Sequence, residues 1–386
     1  MSRYRLLPSP AQADVLLRHC AHARFVWNLC VEQESSWRPG RGPMPGFAER
    51  CRQLTAARAA HPWLAGGSVT VQQQAIRDHS QAMKNFFAGT HRKPTWRKAD
   101  RDEGFRIIHL KAGHVRRLSR HTGEVFVAKA GWVRFRWSRP VPAARSYRVT
   151  RDRAGRWHIA FTAIPRPIPG PGTGEVIGVD RGVAVTLALS DGARFQVPAP
   201  RPVERLQRRL SRAKRGSSRR AKLKRRLARL HARNADARKD WAEQRSTEIA
   251  QRYDVIRIED LQVRNMTRSA RGTVENPGCN VAQKAGLNRA ILNGAWSLFA
   301  TRLEHKAPGR VEKIDPRFTS QRCSACGHIA AESRKSQALF ACVACNFTLN
   351  ADVNAARNIA AGHAVTARGG SPLGGPVNRE PQLLAS

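Results

Sequence analysis

The sequence predicts a multidomain chain in which a β-barrel or meander precedes an α/β sheet domain. Three observations predict it. At 386 residues the chain is longer than one ordinary core sustains. Its apolar period changes from helical to alternating and later to alternating strands and helices. Between the two β-containing parts lies Ile164 to Thr173, whose prolines and glycines admit neither helix nor central strand, so it reads as a linker.

Composition sets the class of partner. Lys and Arg number 69 against 28 Asp and Glu, a formal net charge of +41. Such an excess calls for a polyanion, and nucleic acid is the expected one. No run approaches the roughly 18 to 20 apolar residues of a spanning helix, and Met1-Ser2-Arg3-Tyr4-Arg5 leads into no apolar signal core. A cytoplasmic bacterial protein is expected, on the nucleoid when bound to DNA.

Ala11 to Glu34 carries apolar residues at helical spacing (Val15, Leu16, Cys20, Ala23, Val26, Trp27, Cys30), with Ser9-Pro10 as cap and first-turn proline. Arg38 to Gly46 breaks the pattern; Ala48 to His61 and Val69 to Phe87 resume it, giving a small helical bundle. From Gly104 the period shortens to two in Phe105 to Ile108, Val125 to Val127, Trp132 to Trp137, Tyr147 to Val149 and Trp157 to Phe161. Arg alternates there with aromatic and β-branched residues, so one face can build a core while the other offers guanidinium groups to phosphate.

A new domain opens near Gly174. Val176 to Leu189 reads as two strands about a turn at Arg181-Gly182, and Val203 to Tyr253 as a long basic helix interrupted near Gly216-Ser217-Ser218. Asp254 to Asp260 is a buried strand, Val281 to Lys306 one helix, and Arg310 to Ile314 another strand, an α/β order. Ala361 to Ser386 has the composition of a disordered tail. On the basic helix, Leu206, Leu210, Leu223, Leu227 and Leu230 form the packed stripe. Around them Arg208, Arg209, Arg212, Lys214, Arg215, Arg219, Arg220, Lys222, Lys224, Arg225 and Arg226 are expected to meet phosphate rather than only solvent.

Cys323-x-x-Cys326 and Cys342-x-x-Cys345 suit a tetrahedral zinc ribbon whose four thiolates close the shell, leaving His328 unneeded. Cys20, Cys30, Cys51 and Cys279 read as buried thiols of a reducing compartment.

Three acids stand where a nuclease needs them. Asp180 ends the apolar strand Gly178-Val179-Asp180, Glu259 ends Val255-Ile256-Arg257-Ile258-Glu259, and Asp352 falls in the first turn of a helix opening at Asn350-Ala351-Asp352. Acids among apolar strand residues are costly to bury without a cation. Oxygen ligands suit Mg2+ or Mn2+, and two such ions can hold the attacking and leaving oxygens of a phosphodiester. Each acid alone also fits a plainer role, as turn residue, surface ion pair or helix cap. Alternation from Ile256 and Ile258 favours Glu259 over Asp260.

In Gly178-Val179-Asp180-Arg181-Gly182, Ile258-Glu259-Asp260-Leu261, Asp315 to Gly327 and Asp352-Val353-Asn354-Ala355-Ala356-Arg357-Asn358-Ile359 the chain resembles the TnpB family, compact transposon-encoded relatives of type V CRISPR effectors. Leu287 to Leu292 and Arg24-Phe25-Val26-Trp27-Asn28 resemble family segments too. The resemblance implies an RNase H-like RuvC domain over residues 174–320 and 347–362, with the ribbon at 321–346. It also implies an oligonucleotide-binding wedge barrel at 1–10 and 96–165, a helical recognition lobe at 11–95, a linker at 166–173 and a tail at 363–386. It identifies Asp180, Glu259 and Asp352 as catalytic metal ligands. It implies an endonuclease that carries a transposon-derived guide RNA and cuts matching target DNA, using Mg2+ or Mn2+ beside the structural Zn2+. The alternatives are a guided DNA binder or regulator that does not cut, and a DNA transposase. Arg238-Lys239-Asp240-Trp241 departs from the family's frequent His-Lys, and Met266 to Asn280 is an excursion suited to a lid or a plain loop.

Overall fold

A computed structural model describes residues 2–38, 40, 42–101, 103–163 and 166–362, so the expected tail at 363–386 lies outside the described residues. Two compact units emerge, residues 1–164 with 203–232 and residues 165–202 with 233–386. The range 174–320 is thereby divided, its basic stretch 203–232 grouping with the first unit.

The first unit opens with β1 (Ser2–Leu7) and α1 (Pro10–Ser36). Ser9 and Gln12 cap α1 reciprocally: Gln12 N donates to Ser9 Oγ (3.3 Å) and Ser9 N to Gln12 Oε1 (3.0 Å), with Pro10 at the first turn. The face the spacing marked, including Leu16, Cys20, Ala23, Val26 and Cys30, is buried. α2 (Phe47–Ala60), the short α3 (Pro62–Ala65) and α4 (Val69–Phe87) follow, with α1 packed on α4.

Strands β2 (Gly104–Ile108), β3 (Val115–Arg117), β4 (Thr122–Val127), β5 (Gly131–Arg136), β6 (Ser146–Arg151) and β7 (Trp157–Phe161) join β1 in one seven-stranded antiparallel sheet. Its order is β2-β6-β7-β1-β5-β4-β3. β3 was not expected, because Val-Arg-Arg is too short to display a period. Tyr147 Oη donates to the Phe126 carbonyl (3.0 Å), tying β6 to β4 over the three intervening strands, so the sheet curls. Among the described residues β2 and β3 share no ladder. Inside the curl, Tyr4 meets Phe135 and Phe161 edge-on at 5.5 and 5.6 Å. Burying each such ring contributes roughly 1.5–3 kcal/mol. In β5, Val133 and Phe135 are buried while Arg134 and Arg136 are exposed, the alternation expected.

The basic stretch forms α5 (Glu204–Arg212) and α6 (Ser218–Arg252), broken near Gly216 as expected. The second unit contains β8 (Val176–Asp180), β9 (Leu187–Leu189), β10 (Arg194–Phe195) and β11 (Val255–Glu259). It continues through α7 (Val263–Met266), α8 (Val281–Asn293), α9 (Trp296–Lys306), β12 (Val311–Ile314), β13 (Leu339–Ala341), β14 (Thr348–Asn350) and α10 (Ala351–Ala361). The five-stranded sheet runs β10-β9-β8-β11-β12, with β8, β11 and β12 parallel. Ile177, Val179, Ile256 and Ile258 share a core with Trp241 and Ile249 of α6 and with Phe299 and Leu303 of α9. The opposite face takes α10 so closely that a Cβ on Gly178 would overlap the Ala356 carbonyl and the Ala360 amide.

Two expectations are corrected. The single helix expected over Val281 to Lys306 is two, because Ala295 adopts a left-handed φ of +56° after Gly294. Alanine is a strong helix former, so the sequence gives little sign of this break. Of the four scattered thiols only Cys20 and Cys30 are buried; Cys51 is half-buried and Cys279 exposed. No helix among the described residues is long and apolar enough to cross a membrane.

Candidate active site and metal centre

Two parallel strands deliver two of the acids to one edge of the second sheet. Val179 pairs with Ile258, so Asp180 and Glu259 follow side by side at the carboxyl ends of β8 and β11. Gly178 and Arg257, two residues earlier, face α10: the helix overlies Gly178, and Arg257 Nη1 donates to the Ala360 carbonyl. Strand alternation turns Asp180 and Glu259 to that same face. There α10 begins, with Asn350 Oδ1 accepting from the N–H groups of Asp352 and Val353 (both 3.2 Å). Asp352 thus enters in the first turn, 6% exposed.

Electrostatics link the three. Burial, then the charges of Glu259 and Asp352, hold the Asp180 carboxyl well above the usual carboxylate range, against the pull of Arg334. Burial also raises Asp352, opposed by Arg334 and Arg194. Among the described residues, the sulfurs of Cys323, Cys326, Cys342 and Cys345 gather within 4.8 Å of one another.

Five residues around the acids make contacts that periodicity does not predict, although all but Arg334 lie within the family-like segments. Thr319 Oγ1 donates to Glu259 Oε1 (2.7 Å), and Arg181, 5% exposed, donates to the Glu259 carbonyl. Arg334, from inside the ribbon insert, reaches Asp352 Oδ1 at 3.4 Å. Asn358 Nδ2 donates to the carbonyls of Thr319 (2.9 Å) and Arg322 (2.7 Å), fixing α10 to the segment that leads into the ribbon. Asn354, one turn earlier, donates to Arg322 O (2.7 Å) and accepts from Ser324 N (3.0 Å). Asp260 is exposed and lines a cavity of about 160 Å3 with Ser297, Thr301 and Glu304 of α9.

The four cysteines converge from two copies of one turn. Gly327 N donates to Cys323 O (2.9 Å) and Asn346 N to Cys342 O (3.0 Å), with both Gly327 and Asn346 left-handed, at φ +79° and +57°. Gly and Asn are the residues that tolerate that backbone. Burial raises the Cys342 thiol, while the N–H groups of Cys345 and Ala344 and hydrogen bonds with the Cys345 and Cys326 sulfurs bring it down to about 6; the same sharing among the sulfurs pushes Cys345 up. His328 contributes its backbone carbonyl, accepting from Cys323 N (2.8 Å), and no ring nitrogen to the cluster.

Of the eleven basic candidates, Arg208, Arg209, Arg212, Lys214, Arg215, Arg219, Lys222, Lys224, Arg225 and Arg226 are exposed on α5, α6 and their junction. Arg220 differs. Its Nη1 donates to the carbonyls of Leu210 (2.6 Å) and Ala213 (2.9 Å), capping the C-terminal end of α5. In the expected apolar stripe, Leu223 is buried and the other leucines are half-buried.

A family described as a probable transposase matches residues 158–270, one described as Cas12f1-like, TNB domain, matches 296–359, and one described as a helix-turn-helix domain matches 2–41. Over 396 aligned residues the chain is 35% identical to the putative RNA-guided DNA endonuclease InsQ of Escherichia coli (strain K12), covering 98% of this chain and 96% of that protein. The chain belongs to the TnpB family. A second TnpB relative, a putative RNA-guided DNA endonuclease of Streptomyces pristinaespiralis, is 30% identical and covers 95% of this chain and 90% of its own. Among solved structures, Cas12f1 in its complex with sgRNA and target DNA superposes with a TM-score of 0.53 at 14% identity, covering 91% of this TnpB chain and 83% of its own. That likeness shows a shared mixed α/β fold. The helix-turn-helix match falls on β1 and α1, so the described part of this TnpB segment is a strand followed by one long helix.

Proposed function

We propose that the chain is an insertion-sequence-encoded, RNA-guided DNA endonuclease that hydrolyses target DNA phosphodiesters at Asp180, Glu259 and Asp352. What supports this reading above all is three acids from β8, β11 and α10 meeting at one buried sheet edge in a chain of net charge +41. Fixed in that way, carboxylates that repel one another fit divalent cations. Asp180, Glu259 and Asp352 would hold Mg2+ or Mn2+, and bound metal supplies activation of water and neutralisation of phosphate charge. Thr319 and Arg181 orient Glu259, Arg334 steadies Asp352, and the ribbon, built for Zn2+ on Cys323, Cys326, Cys342 and Cys345, carries Arg334 to the edge.

The curled sheet of residues 1–10 and 96–165 serves as the wedge barrel and the helices of 11–95 as the recognition lobe. Guide RNA pairing selects the DNA, while exposed cations of α5 and α6 hold phosphate. The test is to purify the chain with its RNA, sequence that RNA, and offer matching and scrambled DNA with Mg2+. Cleavage of matching DNA alone, lost in Asp180→Ala, supports the reading. Guide-dependent binding without cleavage replaces it with the regulator, and joining of transposon ends replaces it with the transposase.

A further inference from the structure

The Arg24 to Asn28 motif of α1 ties down a segment of its own unit. Trp27 Nε1 donates to the Thr95 carbonyl (2.9 Å), and Asn28 grips Arg97 from both sides, Nδ2 to its carbonyl (3.1 Å) and Oδ1 from its N–H (2.8 Å). Arg24 Nη1 meets Glu103 at 2.6 Å, and Glu103 Oε1 accepts from Asp100 N (2.8 Å). Residues 93–97 have neither helix nor strand hydrogen bonding, so these side chains substitute for a ladder and fix the strap's backbone. The Arg97 guanidinium lies over the Trp27 ring, 3.5 Å from its centroid.

The strap's remaining side chains are left without partners. Beneath it lies a cavity of about 490 Å3, lined among others by Lys93, Trp96 and Arg97 of the strap, Trp27 of α1, Arg148 and Thr150 of β6, and Glu103, whose charge is paired with Arg24. That volume is within the roughly 300–1,000 Å3 of small-molecule sites. Among the described residues the side chains of Lys93, Trp96 and Arg148 make no hydrogen bond, ion pair or ring contact, and Trp96 is 55% exposed. An open indole flanked by two unpaired cations, with a third stacked on the neighbouring indole, matches a flat π-system carrying negative charge.

We infer that this cavity binds one unpaired nucleotide of a nucleic-acid strand, its base stacked on Trp96 and its phosphate held by Lys93 and Arg148. The inference rests on the chain being a nucleic-acid-binding protein and is independent of the acid edge. The source of the nucleotide, RNA or DNA, is read by the experiment.

Single-stranded RNA and DNA oligonucleotides of one mixed sequence, carrying 4-thiouridine or 4-thiothymidine at single positions, are bound to Asp180→Ala protein, which keeps the measurement free of cleavage. Photocrosslinks mapping to the peptide that contains Trp96, in the RNA arm, the DNA arm or both, support the site and name its source. Trp96→Ala should weaken that strand's binding about tenfold, while Trp96→Phe keeps most of it. Lys93→Ala with Arg148→Ala should lower the salt-dependence slope by about 0.7, one single-strand phosphate neutralised. Crosslinks confined to other peptides, or wild-type binding of both strands by Trp96→Ala with an unchanged circular dichroism spectrum, overturn the inference. If no variant and not even the parent protein binds either strand, the nucleic-acid reading fails first, which keeps the two failures distinct.

Discussion

The ribbon and the acid edge are both clusters of negative ligands in the second unit, and they are built in opposite ways. The four sulfurs come from two short turns, each closed by a backbone hydrogen bond and a left-handed residue, and gather within 4.8 Å. The three carboxylates come from two strands and a helix separated by 79 and 93 residues (259 − 180 and 352 − 259). A ligand set written into local turns closes around a metal as structure; one written into long-range packing stays open to substrate.

That contrast is broken most severely at the edge. Glu259→Ala should reduce Mg2+-dependent cleavage to background while guide and target binding persist, whereas Asp260→Ala, on the α9 side of β11, should keep most of the activity. Cleavage gels run beside filter binding decide it; an inactive Asp260→Ala with an active Glu259→Ala would shift the proposed register by one residue.

Next in size is the ribbon. Freshly reduced protein should carry about one zinc per chain, lost in Cys342→Ser with Cys345→Ser, since structural zinc sites contribute on the order of 10 kcal/mol of binding energy. Metal analysis that finds full zinc in the double variant would remove the ribbon from the comparison. Because Arg334 stands in the ribbon and touches Asp352, cleavage should fall with the zinc.

A smaller effect runs the other way. Asp180 is held above its usual range, so the folded state holds its proton longer than the unfolded chain and loses stability as pH rises above about 3.9, where the unfolded carboxyl ionises. Asp180→Asn should therefore raise the stability of the metal-free second unit at neutral pH by about 1 kcal/mol while destroying cleavage. Denaturation midpoints without added Mg2+ test this, and an unchanged or lowered midpoint counts against strain at the edge.

The smallest effect belongs to the first unit. Burial, aided by Arg50 at His79 and by Arg3 at His158, lowers both histidines to about 4. Unfolded histidine binds its proton below about 6.5, so between those values the unfolded chain holds more protons, and stability falls as pH drops through that window. His79→Gln should flatten the fall in the first unit's denaturation midpoint between neutral and mildly acidic pH. An equal fall in the variant would place the acid sensitivity elsewhere.

Much of this molecule is legible without coordinates wherever the governing hydrogen bonds are local. The helices of the first hundred residues, most of the strands and the cysteine turns follow from spacing, caps and turn residues. Strand period also favoured Glu259 over Asp260, while the β8–β11 register that sets Asp180 beside Glu259 came from the pairing of the strands. What a period leaves open is decided over long distances: Arg334 reaching Asp352 from inside the ribbon, Thr319 meeting Glu259, and Arg220 turning from solvent to cap α5. The break at Ala295 and the pinning of residues 93–97 by Trp27 and Asn28 belong with them. By itself the sequence determined which residues could ligate metal, because ligand chemistry and turn geometry are properties of short segments. Only the tertiary structure decided which neighbours surround them, because burial and charge depend on what the rest of the chain brings alongside.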